Sequence, residues 1–109
     1  MNNLNSVLLE GILVSKGVIT DNSIEFKIES TRYYNSYGEK KEKLTNVILV
    51  TVVAFNKEAE KVNKTVVGDL IRVVGRLDVY NDTGKLYIYA ETIEIKLQSH
   101  NIVLENNKE

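Results

Sequence analysis

The sequence predicts an all-β fold, in which five strands form a small barrel and one short helix separates the third strand from the fourth. Three observations predict it. Five segments have the apolar pattern of strands, and a single stretch has the spacing of an amphipathic helix. Two of the five segments also carry a glycine at mid-strand, where a strand can bend or bulge around a barrel corner.

Three strands precede the helix. Strand 1 covers residues 4–14 and is rich in aliphatic side chains around Gly11. Strand 2 covers residues 23–34, in which apolar and charged side chains alternate, as they do in a strand buried on one face. Strand 3 covers residues 45–55 and is β-branched almost throughout, which favours a buried strand.

The helix follows strand 3 directly. Asn56 can serve as its N-cap, and Ala59, Val62 and Val66 form an apolar stripe among charged residues. The helix is expected to end near Gly68.

Strands 4 and 5 cover residues 70–80, around Gly75, and residues 85–95, and the turn sequence Asn-Asp-Thr-Gly at 81–84 joins them. This order of elements is that of the OB-fold, a five-stranded, partly open barrel that commonly binds oligonucleotides or oligosaccharides. A plain antiparallel sandwich is the alternative. Residues 1–96 are expected to form the domain, and residues 97–109 a flexible C-terminal extension.

The composition restricts the class of protein. A chain of 109 residues is one domain, and without cysteine it has neither disulfides nor thiolate chemistry. The N-terminal segment lacks a basic region, and Glu10 interrupts its apolar run, so it is predicted to be neither a secretory signal nor a membrane span. The expected location is the cytoplasm.

The net charge of −1 argues against a protein that coats nucleic acid by bulk charge alone. The charge is nevertheless uneven. Residues 26–77 contain ten Lys and Arg and six Asp and Glu, a net charge of +4, whereas both ends are negative. A basic surface on an acidic molecule is therefore allowed.

The stretch TRYYNSYGEKKEK, residues 31–43, places three tyrosines among basic residues. Two interpretations remain open. The tyrosines pack locally at a hairpin tip, or they form a platform on which flat, anionic ligands such as nucleic-acid bases stack.

Several segments resemble a known family. In chain order, "LNSVLLEGIL", "STRYYN", "VVAFNKEAEKV", "VGDLIRVVGRLDVY" and "YIYAETIEI" are similar to the signature segments of bacterial single-stranded DNA-binding proteins. The resemblance covers roughly residues 3–95, and its most specific parts are the strand-to-helix junction "VVAFNKEAE" and the glycine-centred "VVGRL".

The resemblance implies an OB-fold that binds single-stranded DNA during replication, recombination or repair, as a homotetramer or a dimer. In this family aromatic side chains stack on bases, and Lys and Arg contact phosphates. The stacking positions fall on Tyr34, with Tyr33 adjacent, on Phe55 and on Tyr80. The full expected binding set is Arg32, Tyr33, Tyr34, Lys40, Lys41, Phe55, Lys57, Arg72, Arg76 and Tyr80.

The chain departs from the family in four respects. Leu49 stands where the family often has an aromatic residue in strand 3, and tryptophan is absent. The segment after strand 1 lacks the family's acidic-proline signature. The sequence ends at "ENNKE" instead of a long Gly/Pro-rich tail with an acidic tip, so it is either truncated or a tailless relative such as a phage, plasmid or primosome-associated protein.

Each candidate residue also has a purely structural interpretation. Phe55 can fill the core, and Arg72, Arg76 and the helix lysines can simply be solvated. Tyr87 and Tyr89 can line the binding groove or a subunit contact. In strand 1, the aliphatic side chains Val7, Leu8, Leu9, Ile12 and Leu13 exceed what one small barrel needs, which favours a homo-oligomer.

Catalysis is not expected. His100 is the only histidine, and the sequence has no metal-ligand spacing, P-loop or nucleophile motif. We therefore expect no cofactor, metal or small-molecule substrate. The rival hypothesis is an OB-fold protein-interaction or assembly module, a primosome-like accessory, and Asp78 and Asp82 near Tyr80 give it some support.

Overall fold

The computed structural model describes residues 3–35 and 43–96, with the side chains of residues 34, 35, 43 and 44 outside the description. The elements are β1 (Val7–Lys16), β2 (Ser23–Asn35), β3 (Lys43–Phe55), α1 (Asn56–Asn63), β4 (Leu70–Val79) and β5 (Leu86–Lys96). The strands form a closed barrel in the order β1-β2-β3-β5-β4. The predicted OB-fold is therefore confirmed, and the sandwich is excluded.

Strand β1 joins the two halves of the barrel. Its first part pairs with β4, from Val7 to Ile12, and its second part pairs with β2, from Ile12 to Lys16. The barrel closes where β3 and β5 run parallel, with Val53 opposite Tyr89. All other strand pairs are antiparallel.

Both mid-strand glycines lie where two backbones approach closely. At Gly75 the register between β4 and β5 shifts, and a Cβ atom there would overlap the carbonyl of Tyr89. At Gly11, where β1 turns from β4 towards β2, a Cβ atom would overlap the carbonyl of Glu29. The register shift expected at Gly75 is present, whereas the shift in β1 lies between Leu13 and Ser15 and not at Gly11. At both glycines a side chain would collide with the neighbouring backbone.

The core lies inside the barrel and under the helix. Its largest fully buried side chains are Phe26, Leu13, Ile24, Ile28, Ile71, Ile93, Val52, Val62 and Val73. In β1, Val7 and Leu9 also pack against the core, whereas Leu8 is 71% exposed. The barrel itself therefore buries much of the aliphatic surface of β1 that the sequence assigned to a partner.

The helix α1 closes one end of the barrel with Ala59 and Val62, as its apolar stripe predicts. Three details of that prediction are wrong. Asn56 is not the N-cap but the first helical residue, and its φ of 54° turns the chain directly out of β3. The helix ends at Asn63, and Val66 is exposed. The chain after α1 instead forms a turn with Gly68 at φ 107°.

The loop between β4 and β5 is the tight turn that residues 81–84 predict. The backbone N–H of Tyr80 donates to the carbonyl of Lys85, and the N–H of Gly84 donates to the carbonyl of Tyr80. Within residues 3–35 and 43–96, no helix is long and apolar enough to cross a membrane.

Candidate nucleic-acid interface

The candidate interface lies on the outer surface of the barrel, at the end where β3 passes into α1. Side chains at alternate positions of a strand point outwards, and the strand register places the outward ones in a row. Glu25 of β2 pairs with Val53 of β3. Val53 in turn pairs with Tyr89 of β5, and Tyr89 pairs with Arg76 of β4. One row of side chains thus crosses four strands.

Four aromatic rings occupy this surface. The rings of Phe55 and Tyr89 stack with their centroids 5.3 Å apart, and the rings of Tyr80 and Tyr87 lie 4.5 Å apart. The guanidinium carbon of Arg76 lies 4.2 Å from the centre of the Tyr89 ring, a cation–π contact. We call these four rings the aromatic face. All four side chains are partly buried, so each packs on a neighbour and still reaches solvent.

Carboxylates border the aromatic face. The hydroxyl of Tyr80 donates to Oε2 of Glu25 at 2.7 Å. Partial burial and this carboxylate raise the pKa of Tyr80 from 10.0 to about 12. Burial and the nearby carboxylate of Asp78 also raise the pKa of Tyr87. Glu91 lies 3.7 Å from Arg76, so the aromatic face has acidic side chains as well as a basic one.

The structure brings together three members of the predicted binding set, Phe55, Arg76 and Tyr80. Tyr87 and Tyr89, which the sequence left open between groove and subunit contact, lie in the same cluster. Phe55 is neither pure core nor fully exposed, because one side of its ring packs on Tyr89.

Arg72 lies elsewhere. Its guanidinium is 3.0 Å from Glu10 and 3.9 Å from Glu94, on the outer surface formed by β1, β4 and β5. Lys57 lies at the start of α1, where it lines a small surface cavity with Ile19 and Asn22. Neither cation contacts the aromatic rings described above.

The predicted residues of β2 lie at the far end of the long β2–β3 ribbon. Arg32 and Tyr33 lie opposite Asn46 and Thr45 of β3 and, being adjacent in a strand, project from opposite faces. Tyr33 is 65% exposed and shares its face with Leu49, which is 60% exposed. This ribbon therefore offers a second exposed patch. Thr45, opposite Tyr33, lies ten strand positions from Phe55 along β3, or about 33 Å, and Leu49 lies between them.

The remaining predicted residues lie partly or wholly outside the described residues. The backbone of Tyr34 pairs with Leu44, but its side chain is outside the description. Lys40 and Lys41, and the whole extension 97–109 with His100, also fall outside it.

Sequence reasoning named Asp78 but missed two other carboxylates at the border of the face. Glu25 and Glu91 were not among the candidates. The alternation in β2 nevertheless places Glu25 on the opposite face of the strand from the buried Ile24 and Phe26. That signal shows that Glu25 is exposed; only the tertiary fold shows that Tyr80, 55 residues later, reaches it. Among the described residues, no group of three His, Cys, Asp or Glu is arranged to hold a metal ion.

Comparison with solved structures finds similar folds. The small single-stranded DNA-binding protein from Streptomyces coelicolor has a TM-score of 0.67 and 25% identity, over 89% of this chain and 96% of that one. The Plasmodium falciparum single-stranded DNA-binding protein, solved in complex with single-stranded DNA, has a TM-score of 0.67 and 13% identity, over 90% and 97%. The protein priB from Ralstonia solanacearum has a TM-score of 0.60 and 13% identity, over 86% and 100%.

No protein-family model matches the chain, and no curated protein matches it in sequence. These matches cover nearly the full length of the solved proteins. The matched proteins share the closed five-stranded barrel with one helix between β3 and β4. They confirm the resemblance that the sequence motifs indicate: this chain has the OB-fold of the small bacterial single-stranded DNA-binding proteins.

Proposed function

We propose that the protein binds single-stranded DNA without strong sequence preference and protects it during replication, recombination or repair. The observation that carries the proposal is the aromatic face, two pairs of packed rings side by side on the outer surface of an OB barrel. Similarity to small bacterial proteins that bind single-stranded DNA supports it. The proposed location is the cytoplasm, and the proposed role involves no catalytic step.

The aromatic face suits unpaired bases. Every base has a π-face, so stacking on a tyrosine or phenylalanine tolerates any sequence, and each stacked base is worth about 1–3 kcal/mol. In a duplex these faces are already stacked on neighbouring bases. Single strands should therefore bind and duplexes should bind much more weakly.

The charges of the described residues predict a modest affinity. Arg76 is the cation that contacts the aromatic face, and it is shared between Tyr89 and Glu91. Binding should weaken as salt rises, by about 0.7 log units of affinity per phosphate contact for each tenfold increase in salt.

We also propose that the protein is a homo-oligomer, a tetramer or a dimer. The support is the outer surface of β1 and β4, where Leu8 lies opposite Val74 and both side chains are exposed. Light scattering at micromolar concentration should give a mass well above 12.4 kDa. A monomer at that concentration would contradict this part of the proposal.

A fluorescence titration tests the function. Tyrosine emission should be quenched by an oligo-dT single strand at low salt, and far less by the same oligo-dT annealed to oligo-dA. A protein that binds both equally, or neither, does not have the proposed function.

One observation favours a second candidate, an OB-fold protein-interaction or assembly module. Glu25, Asp78 and Glu91 lie at the aromatic face, where phosphates would be repelled and a basic partner protein attracted. The titration separates the two candidates, because the module predicts no quenching by single strands even at low salt.

A further inference from the structure

We propose that Glu25 reads one base of the bound strand, by accepting hydrogen bonds from the Watson–Crick edge of a guanine stacked on Tyr80. The inference rests on the proposed function, because it requires a single strand on the aromatic face. It adds a preference at one position to a surface that otherwise tolerates any base.

The first step is the place of the carboxylate. A phenol oxygen lies in the plane of its ring, so the 2.7 Å hydrogen bond from the Tyr80 hydroxyl fixes Oε2 of Glu25 close to the edge of the ring. The Tyr87 ring packs on the Tyr80 ring with the centroids 4.5 Å apart, so the proposed base lies on the face of Tyr80 turned away from Tyr87. A base in van der Waals contact lies about 3.5 Å above that face. Its edge then comes within reach of the Glu25 carboxylate.

The second step is the spare capacity of this carboxylate. An ionised carboxylate accepts about four hydrogen bonds. Among the described residues, Tyr80 is the one side-chain donor to Glu25, whereas Asp78 accepts the backbone N–H of Val79. Glu25 is also solvent-exposed, so it can turn its remaining lone pairs towards a ligand.

The third step is the match between bases and a carboxylate. Guanine carries two adjacent donors, N1–H and the N2 amino group, which can converge on Oε1, the oxygen that the Tyr80 hydrogen bond leaves free. Adenine and cytosine place a ring-nitrogen acceptor beside their amino group, and that acceptor faces the carboxylate unfavourably. Thymine has one N–H between two carbonyl oxygens. Guanine is therefore preferred and thymine disfavoured.

The acidic side chains favour the same orientation of the bound DNA, with its base edges turned towards Glu25. Glu25, Asp78 and Glu91 repel phosphates from the aromatic face, so the backbone of a bound strand runs outside it and the base edges turn inwards. A base edge, rather than a phosphate, is then the group that meets Glu25.

The test compares two labelled oligonucleotides of equal length by fluorescence anisotropy: oligo-dT, and an alternating strand of dT and 7-deaza-dG. The 7-deaza base keeps N1–H and the N2 amino group but cannot form quadruplexes. The wild-type protein should bind the guanine analogue at least about fivefold more tightly than oligo-dT. A strand with inosine in place of the analogue, which lacks the N2 amino group, should fall between the two.

Glu25→Gln should remove this preference, because the amide offers one acceptor oxygen beside an NH2 donor; the readout is the ratio of the affinities for the two strands, and not the affinity for oligo-dT itself. Glu29→Gln is the matched control, because Glu29 is also exposed and points outwards from β2, four residues further on. It should keep the preference. Equal wild-type affinity for both strands, or a preference that persists in Glu25→Gln, overturns the inference but not the proposed function. Failure of every strand to bind overturns both.

Discussion

At the scale of single residues, a hydroxyl–carboxylate hydrogen bond organises the aromatic face. Tyr80 donates to Glu25. A tyrosine held at its hydroxyl has lost most of its ring freedom before any ligand arrives, so less conformational entropy is lost on binding. Glu25 is therefore compatible with binding a polyanion, because it holds a stacking ring in place.

The raised pKa of Tyr80 predicts a loss of stability at high pH. Below pH 10 the Tyr80 hydroxyl is protonated in both the folded and the unfolded chain, and its hydrogen bond contributes fully to the free energy of unfolding. Between the ordinary pKa of 10.0 and the folded value of about 12 the unfolded chain ionises first, so stability falls as pH rises. Tyr80→Phe should show a shallower fall of the thermal midpoint across this range. Parallel slopes for the two proteins would contradict the assignment.

Phe55 and Tyr33 should respond differently to truncation. Phe55→Ala should lower stability by about 2 kcal/mol, because the ring is partly buried against Tyr89, and should also weaken oligo-dT binding. Tyr33→Ala should leave the thermal midpoint nearly unchanged, since its side chain is 65% exposed, and should weaken binding by about 1–3 kcal/mol. Chemical denaturation and anisotropy on both variants check this.

A Tyr33→Ala protein that melts early but binds normally would show that the tyrosine packs locally, which is the other interpretation of the stretch at residues 31–43. The corresponding prediction for Tyr34, whose side chain lies outside the described residues, stays a prediction.

The sequence predicted the types of residue at the aromatic face better than their contacts. Phe55 and Tyr80 were selected from the resemblance, and the ring stacks confirm that they lie close to other aromatic residues. The partners Tyr87 and Tyr89 remained ambiguous, because alternation shows which face of a strand a residue is on but not which neighbouring strand covers it. From the sequence, Arg72 looked equivalent to Arg76. The strand register of the folded barrel shows that Arg72 lies among carboxylates on another surface.

At the scale of the elements, a bulge in β5 places the aromatic face, because Glu91 is an extra residue opposite Val74 and Gly75. The register shift is followed by the pairing of Arg76 with Tyr89, which puts the guanidinium over the ring. Without the bulge the side chains of β5 on one side of it would change faces relative to β4.

Gly75→Ala should therefore be strongly destabilising. Its Cβ atom would overlap the backbone carbonyl of Tyr89, and backbone cannot move aside as a flexible side chain can, so we expect a loss of about 2–3 kcal/mol. Gly17→Ala is the control, because its Cβ would lie 3.4 Å from the nearest atom, the carbonyl oxygen of Glu25. Urea denaturation of both variants measures the difference. Equal losses would mean that close packing at Gly75 is not the cause.

Most elements could be predicted from the sequence because their signals are local. Alternation located β2 within one residue at each end, and the turn sequence at 81–84 located the β4–β5 hairpin. The start of α1 was wrong by one residue, since a left-handed Asn56 replaces the usual side-chain cap. The parallel pairing of β3 with β5 could not be predicted from a local sequence pattern. It consists of two residue pairs between strands that are far apart in the sequence.

At the scale of the whole molecule, the charges do not gather into one basic groove among the described residues. Arg72 is neutralised by Glu10 and Glu94, and Arg76 is shared with Glu91. The net charge of +4 over residues 26–77 is thus a sum over several surfaces. The protein should bind single strands mainly through stacking, with a smaller contribution from charge than a uniformly basic protein would have.

Mapping the bound strand by NMR shows whether single-stranded DNA lies on the aromatic face. Amide spectra of the labelled protein are recorded during titration with an unstructured oligonucleotide. We predict that the largest shifts fall on residues 53–55, 76–80 and 87–91, that Tyr33, at the far end of the same outward face, also shifts, and that β1 changes little. Shifts confined to the ion-paired surface around Arg72, or no shifts at all at low salt, would contradict the account.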